Sequence, residues 1–115
     1  MKMTRFKFCV AEQRGTTKPI TTNTTLTTAD ILQTGNSFIK IVGAYTLTLP
    51  AAEAALTGVT LLVAGTNASS KVKVVAGFGG GGGSYDTVTV GAYNASKFWC
   101  DGTYWYALSE AVAAS

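Results

Sequence analysis

The chain has no histidine, two cysteines, two prolines and only 13% charged residues in 115 positions. Without histidine the commonest general base is missing, so neither a Ser-His nor a Cys-His nucleophile can be assembled. Cys9 and Cys100 lie near opposite ends of the chain, in no C-x-x-C or Cys/His spacing, which excludes a structural zinc site. Each sits among apolar and aromatic neighbours on an expected strand, where a free thiol behaves as a small hydrophobe; a Cys9–Cys100 disulfide is the alternative. The six carboxylates, Glu12, Asp30, Glu53, Asp86, Asp101 and Glu110, show no local spacing that suggests an acid/base pair. The expectation is a protein that is not an enzyme and needs no metal or cofactor.

Long apolar runs are also missing. Nothing approaches the ~18 residues of a membrane-spanning helix. The opening MKMTRFKFCVAEQRG lacks the uninterrupted apolar stretch, about 7 to 15 residues long, of a secretory signal. A soluble protein made in the cytoplasm is expected, with no membrane partner.

What the chain does contain is apolar bulk and small polar residues. Its 47% apolar content suffices for one modest core, hence a single domain over residues 1–115. Threonine (18), serine (7) and glycine (13) take the places that charges usually occupy, and abundant threonine favours strands. The net charge of +3 is uneven: Lys2, Arg5, Lys7, Arg14 and Lys18 precede residue 20, against Glu12 alone. Such a start either lies on an acidic surface or nucleic acid, or is simply solvated.

Residues 5–11 read as a strand. The threonine-rich QRGTTKPITTNTTLTTAD that follows reads as an extended arm or irregular edge strand, with disorder the alternative, because Pro19 cannot donate to a ladder. Residues 1–30 are thus expected to be a basic arm and 31–115 a β core. SFIKIV and YTLTLP follow, the second alternating Tyr45, Leu47 and Leu49 with Thr46 and Thr48, the pattern of a half-buried strand. Pro50 closes it, AAEAAL allows a helical turn or two, and Gly58 stops them. GVTLLVAG reads as a central strand and KVKVVAG as a half-exposed one. Five glycines at 79–83 are followed by no Lys-Ser/Thr and no helical pattern, so they are no nucleotide loop; a flexible hairpin tip is expected. DTVTV and the aromatic FWCDGTYWY complete about eight strands. The fold class is all-β, a small antiparallel β-sandwich or barrel of jelly-roll type with an extended N-terminal segment.

In FWCDGTYWY, Asp101-Gly102 between two strand-like runs signals a two-residue type I′ hairpin. That register sets Cys100 opposite Thr103, Trp99 opposite Tyr104, Phe98 opposite Trp105 and Lys97 opposite Tyr106. Phe98, Cys100 and Trp105 then share a core face, and Lys97, Trp99, Tyr104 and Tyr106 the other. A rigid amphipathic row of this kind has the composition of an interface centre. It is covered by the N-terminal arm, forms a subunit or partner interface, or stacks sugars. A one-residue slip would exchange the faces.

These segments, taken together over about residues 24–108, resemble a module recurrent in tailed-bacteriophage structural proteins. A "tLt.aD" opening precedes a "y.ltLP.a" strand, a "G.t..v.n" strand, a "v.v" strand with a glycine-rich turn and a closing "v.f..DGt.W..l" hairpin. The matching anchors are Leu26, Asp30, Leu47, Leu49, Pro50, Gly58, Asp101, Gly102 and Trp105. Such modules occur in head decoration, head fibre and tail fibre proteins. A single module of 11.9 kDa, with no repeat and no coiled-coil heptads, looks most like a capsid decoration protein. The resemblance implies a non-enzymatic virion protein on the head surface, a homotrimer or dimer. It would clamp neighbouring copies of the major capsid protein against the pressure of packaged DNA, with no specific nucleic acid recognised. Arg5, Lys7, Lys97, Trp99, Tyr104 and Tyr106 are the expected contacts. A tail-fibre receptor-binding module and a free glycan-binding module are the alternatives. Three of the four asparagines, 23, 67 and 94, lie in N-x-Ser/Thr sequons, which chance explains in so Ser/Thr-rich a chain.

Overall fold

The local chemistry of each segment fixes its element. Thr46–Leu49 and Lys71–Val74 alternate polar and apolar residues, and in both strands the apolar set is buried, with the polar set on the other face. The computed structural model describes residues 17–34 and 38–108. The expected strand at 5–11, and with it Arg5, Lys7 and Cys9, lies outside the described residues.

The described residues form an all-β domain of nine strands in two sheets, with one short helix. The strands are β1 (Lys18–Ile20), β2 (Thr24–Thr25), β3 (Phe38–Ile41), β4 (Thr46–Leu49), β5 (Thr60–Gly65), β6 (Lys71–Val74), β7 (Thr87–Thr89), β8 (Asn94–Cys100) and β9 (Trp105–Ala107); the helix α1 spans Thr28–Thr34. One sheet has the order β1-β3-β5-β8-β9 and the other β2-β4-β6-β7.

The first six strands alternate between the sheets, so the chain winds through three successive turns. Corners of three to five residues carry it from one sheet to the other, at 21–23, 42–45 and 66–70. A strand that leaves its sheet cannot pair with its successor as a hairpin. It pairs instead with the strand one full turn later, which arrives in the same direction. Hence β1-β3-β5 and β2-β4-β6 are parallel, and only β5-β8, β8-β9 and β6-β7 are antiparallel. This corrects the expectation of a wholly antiparallel arrangement.

Hydrogen bonds stack the corners. Ile20 O accepts from Val42 N at 2.8 Å, and Ile41 O from Thr66 N at 3.1 Å. Asn23 Oδ1 accepts from Thr46 N at 2.9 Å, and Ser70 Oγ donates to Gly43 O at 2.8 Å. Backbone groups that the sheets leave unpaired at the bends are thereby satisfied by the next turn. The return from β2 to β3 contains α1, which opens with a reciprocal cap. Asp30 N donates to Thr27 Oγ1 at 3.1 Å, and Thr27 N donates to Asp30 Oδ2 at 3.0 Å. Ile20 and Leu26, within the segment expected as an arm, are buried in the same core as Leu47, Val63, Val72 and Phe98. Residues 17–30 thus supply the first turn of the winding, and the AAEAAL segment forms a single 3₁₀ turn at Ala54–Leu56.

The glycine run is a bonded loop, not the free tip expected. Phe78 N donates to Tyr85 O, Gly79 N to Trp105 O and Gly81 N to Phe78 O, all within 2.9 Å, before a 3₁₀ turn at Gly82–Tyr85. Glycine is required here because Gly77, Gly79, Gly80 and Gly82 have positive φ. A Cβ at Gly77 would in addition run into the Gly82 backbone.

Leu47→Ala, which removes a fully buried side chain, is expected to lower stability by about 2–5 kcal/mol, read as a lower urea midpoint at unchanged slope. Thr48→Ala, on the outward face of the same strand, should stay within about 0.5 kcal/mol of the parent. Equal losses would contradict this assignment of the two faces.

Candidate interaction surface

The closing hairpin differs in register from the type I′ expectation. Cys100 pairs with Trp105, Trp99 with Tyr106 and Phe98 with Ala107, leaving a four-residue turn at 101–104. A type I′ turn needs positive φ at both central residues, and here only Gly102 has it. The Asp101 side chain builds the turn instead: its Oδ1 accepts from Thr103 N and from Tyr104 N, each at 2.8 Å. These bonds hold the Asp101 carboxyl below its ordinary 3.8. Sequence reasoning read the dipeptide correctly as a turn and missed the competing side-chain bonds that lengthen it.

A shift of two residues preserves the pleat, so the division of faces survives. Phe98, Cys100 and Trp105 point inward and are fully buried, Cys100 as a free thiol. Trp105 Nε1 donates to Pro50 O at 2.7 Å, which satisfies the indole in an otherwise apolar core. Lys97, Trp99 and Tyr106 lie on the outer face, and Tyr104 moves from the strand into the turn. Of the six expected contact residues, these four come together at one end of the larger sheet; Arg5 and Lys7 lie outside the described residues.

Trp99 and Tyr106 stack with ring centroids 4.6 Å apart and planes inclined by 24°. Such a cross-strand pair stabilises the hairpin by about 0.2–1 kcal/mol, yet Trp99 stays 41% exposed. The register extends the face. Lys97 lies opposite Leu62, itself 41% exposed, and Leu62 opposite Phe38; Ala95 lies opposite Ala64, and Ala64 opposite Lys40. Leu62, Phe38 and Lys40 were not singled out from the sequence, because which strands neighbour β8 is not a local property.

The outer face of the other sheet is different in kind. It presents Thr46, Thr48, Lys71, Lys73 and Thr89, and Lys73 is balanced by Asp86 at 3.7 Å. On the aromatic face the strands carry Lys40 and Lys97 and no carboxylate; Asp101 stands at its end, in the turn. Partial desolvation and then the Asp101 carboxylate raise the Tyr106 phenol above its ordinary 10.0. Among the described residues no three His, Cys, Asp or Glu side chains converge to hold a metal, and no helix is long and apolar enough to cross a membrane.

No protein-family model, no curated protein and no solved structure matches this chain.

Asp30, held low by its bonds to Thr27, and Asp101 both have folded-state pKa values below 3.8. Each therefore stabilises the fold fully above that ordinary value and loses its contribution as the pH falls through the depressed one. The denaturation midpoint is expected to be flat between about pH 7 and 5 and to fall below about pH 4. Asp101→Ala should lower the neutral plateau slightly and flatten the acid decline, since exposed groups are screened. An acid decline as steep as the parent's would contradict the role given to Asp101.

Proposed function

We propose that the protein is a non-enzymatic virion protein of a tailed bacteriophage, a decoration protein that docks on the outside of the head shell through the outer face of the β1-β3-β5-β8-β9 sheet. The observation that carries the reading is that face itself. It combines the Trp99–Tyr106 stack with half-exposed Leu62 and two lysines that its strands do not neutralise. Contiguous exposed apolar surface marks interaction sites in small soluble proteins, and large aromatic side chains dominate interface energetics. Its charge calls for an acidic, partly apolar partner surface, with the lysines steering encounter and the aromatic pair supplying the buried centre. The resemblance noted above supports the choice of the major capsid protein as that partner.

Each of the nine anchor residues also has a structural task. Leu26, Leu47, Leu49 and Trp105 are buried, Asp30 caps α1, Pro50 O receives the Trp105 indole, Asp101 builds the turn, and Gly58 and Gly102 adopt positive φ. These anchors therefore support a shared architecture, and the function rests on the exposed face. Many copies, as trimers or dimers, would clamp adjacent capsid subunits, with small contacts summed by multivalency. Arg5 and Lys7 are further proposed contacts.

Quantitative mass spectrometry of purified source virions tests the reading. Hundreds of copies per particle support a shell protein; a few to a few tens would move the chain to a fibre or tail, and absence would overturn the virion assignment. On particles that bind it, the Trp99→Ala/Leu62→Ala variant and the Lys40→Glu/Lys97→Glu variant are each expected to weaken attachment about tenfold or more. Undiminished attachment by both would exclude this face.

A further inference from the structure

Three tyrosines lie against three consecutive glycines. A methyl group at Gly79 would come within 3.4 Å of the Tyr106 ring, one at Gly80 within 3.1 Å of the Tyr104 ring, and one at Gly81 within 2.7 Å of the Tyr85 ring. The absence of side chains along the loop is what lets the rings rest on its backbone. The loop is in turn fixed by its bonds to Trp105 O, Phe78 O and Tyr85. The tyrosines are thus held in place and still exposed, Tyr85 by 53% and Tyr104 by 42%. Held, exposed tyrosines lose little conformational entropy on binding, which is what a preformed recognition surface needs.

Beside these rings opens a cleft of about 250 Å³, lined by Phe78, Gly79, Gly81, Tyr85, Tyr106 and Ala107. Drug-sized ligands occupy pockets of about 300–1,000 Å³, so this one suits a single small ring or the terminal unit of a longer chain. Its electrostatics narrow the ligand further. Among the described residues no cationic side chain lines it, so they offer an anion no counter-charge. The carboxylates beside its lining residues are already compensated and poorly suited to holding a cation: Asp101 accepts two backbone N–H groups and faces Tyr106, and Asp86, next to Tyr85, pairs with Lys73 and accepts from Thr87 Oγ1. A neutral ligand remains, with apolar faces to lie on tyrosine rings and hydroxyls to meet phenol and peptide groups at the rim.

We infer that this cleft is a binding site for a neutral saccharide unit, one pyranose ring stacked on Tyr85 and Tyr106 beside the glycine bed. The site stands whether or not the protein decorates a capsid. Tyr85 and the glycine loop lie outside the strands of the proposed docking face, while Tyr106 belongs to both and Ala107 of β9 also lines the cleft.

The test is a titration of the full-length ¹⁵N-labelled protein with methyl β-D-glucopyranoside, methyl α-D-mannopyranoside and N-acetyl-D-glucosamine. Choline chloride and inorganic phosphate serve as charged probes. At least one sugar is expected to shift the amides of Gly79, Gly81, Tyr85 and Tyr106 with millimolar affinity. Tyr85→Ala should weaken this about tenfold or more, while Tyr85→Phe retains it. Because Tyr85 is exposed, the remaining amide shifts of both variants should match the parent and certify their folding. No localised shift with any of the three sugars, a shift indifferent to Tyr85→Ala, or a stronger response of the same amides to choline or phosphate would each overturn the assignment.

Discussion

The Trp105 side chain is the tie on which the closing half of the molecule depends. It is fully buried, its indole nitrogen bonds to Pro50 O at the end of β4, and its residue pairs with Cys100 across the hairpin. Its carbonyl accepts from Gly79 N, which brings the glycine loop against β9 through the Phe78–Trp105 bridge. One residue therefore connects a parallel strand of one sheet, the terminal hairpin of the other and the glycine loop on which the tyrosine rings rest. An aromatic side chain suits such a position because it combines large buried area with a single polar group whose partner fixes its orientation.

The two sheets built on this frame turn different surfaces to the outside. The smaller sheet turns threonine and lysine to the outside, with the largely buried Asp86 neutralising Lys73, the usual solvated side of a half-buried sheet. The larger sheet turns out Trp99, Tyr106 and Leu62 with two lysines on strands that carry no carboxylate. Both outer surfaces rest on the same core, so packing alone does not explain their difference. The proposed docking on a virus shell would account for it, by giving the aromatic side a partner.

Individual strands and their faces were legible in the sequence, because alternation in YTLTLP and KVKVV reports directly on which side chains are buried. Phe98, Cys100 and Trp105 were assigned inward for the same reason. The winding was not legible: a strand's periodicity reports its burial and is silent on its direction, and short corners at 21–23, 42–45 and 66–70 look like hairpin turns. The aromatic row was found as a local cluster, whereas Leu62, Phe38 and Lys40 joined it only through register. The five glycines were read by their entropy, which predicts freedom. Their actual role appears only when Tyr85, Tyr104 and Tyr106 are set against them, and no local pattern links residue 80 to residue 104.

The central claim is that a Trp105-anchored frame holds an ordered glycine loop against which the exposed tyrosines rest. Hydrogen exchange at the Gly79 and Gly81 amides tests it most directly, since their acceptors are Trp105 O and Phe78 O. The account predicts that both amides exchange far more slowly than an unstructured glycine run, approaching the protection of core amides such as Val72, because opening them requires loosening the frame. Exchange at the rate of an unstructured chain, with the core still protected, would contradict it.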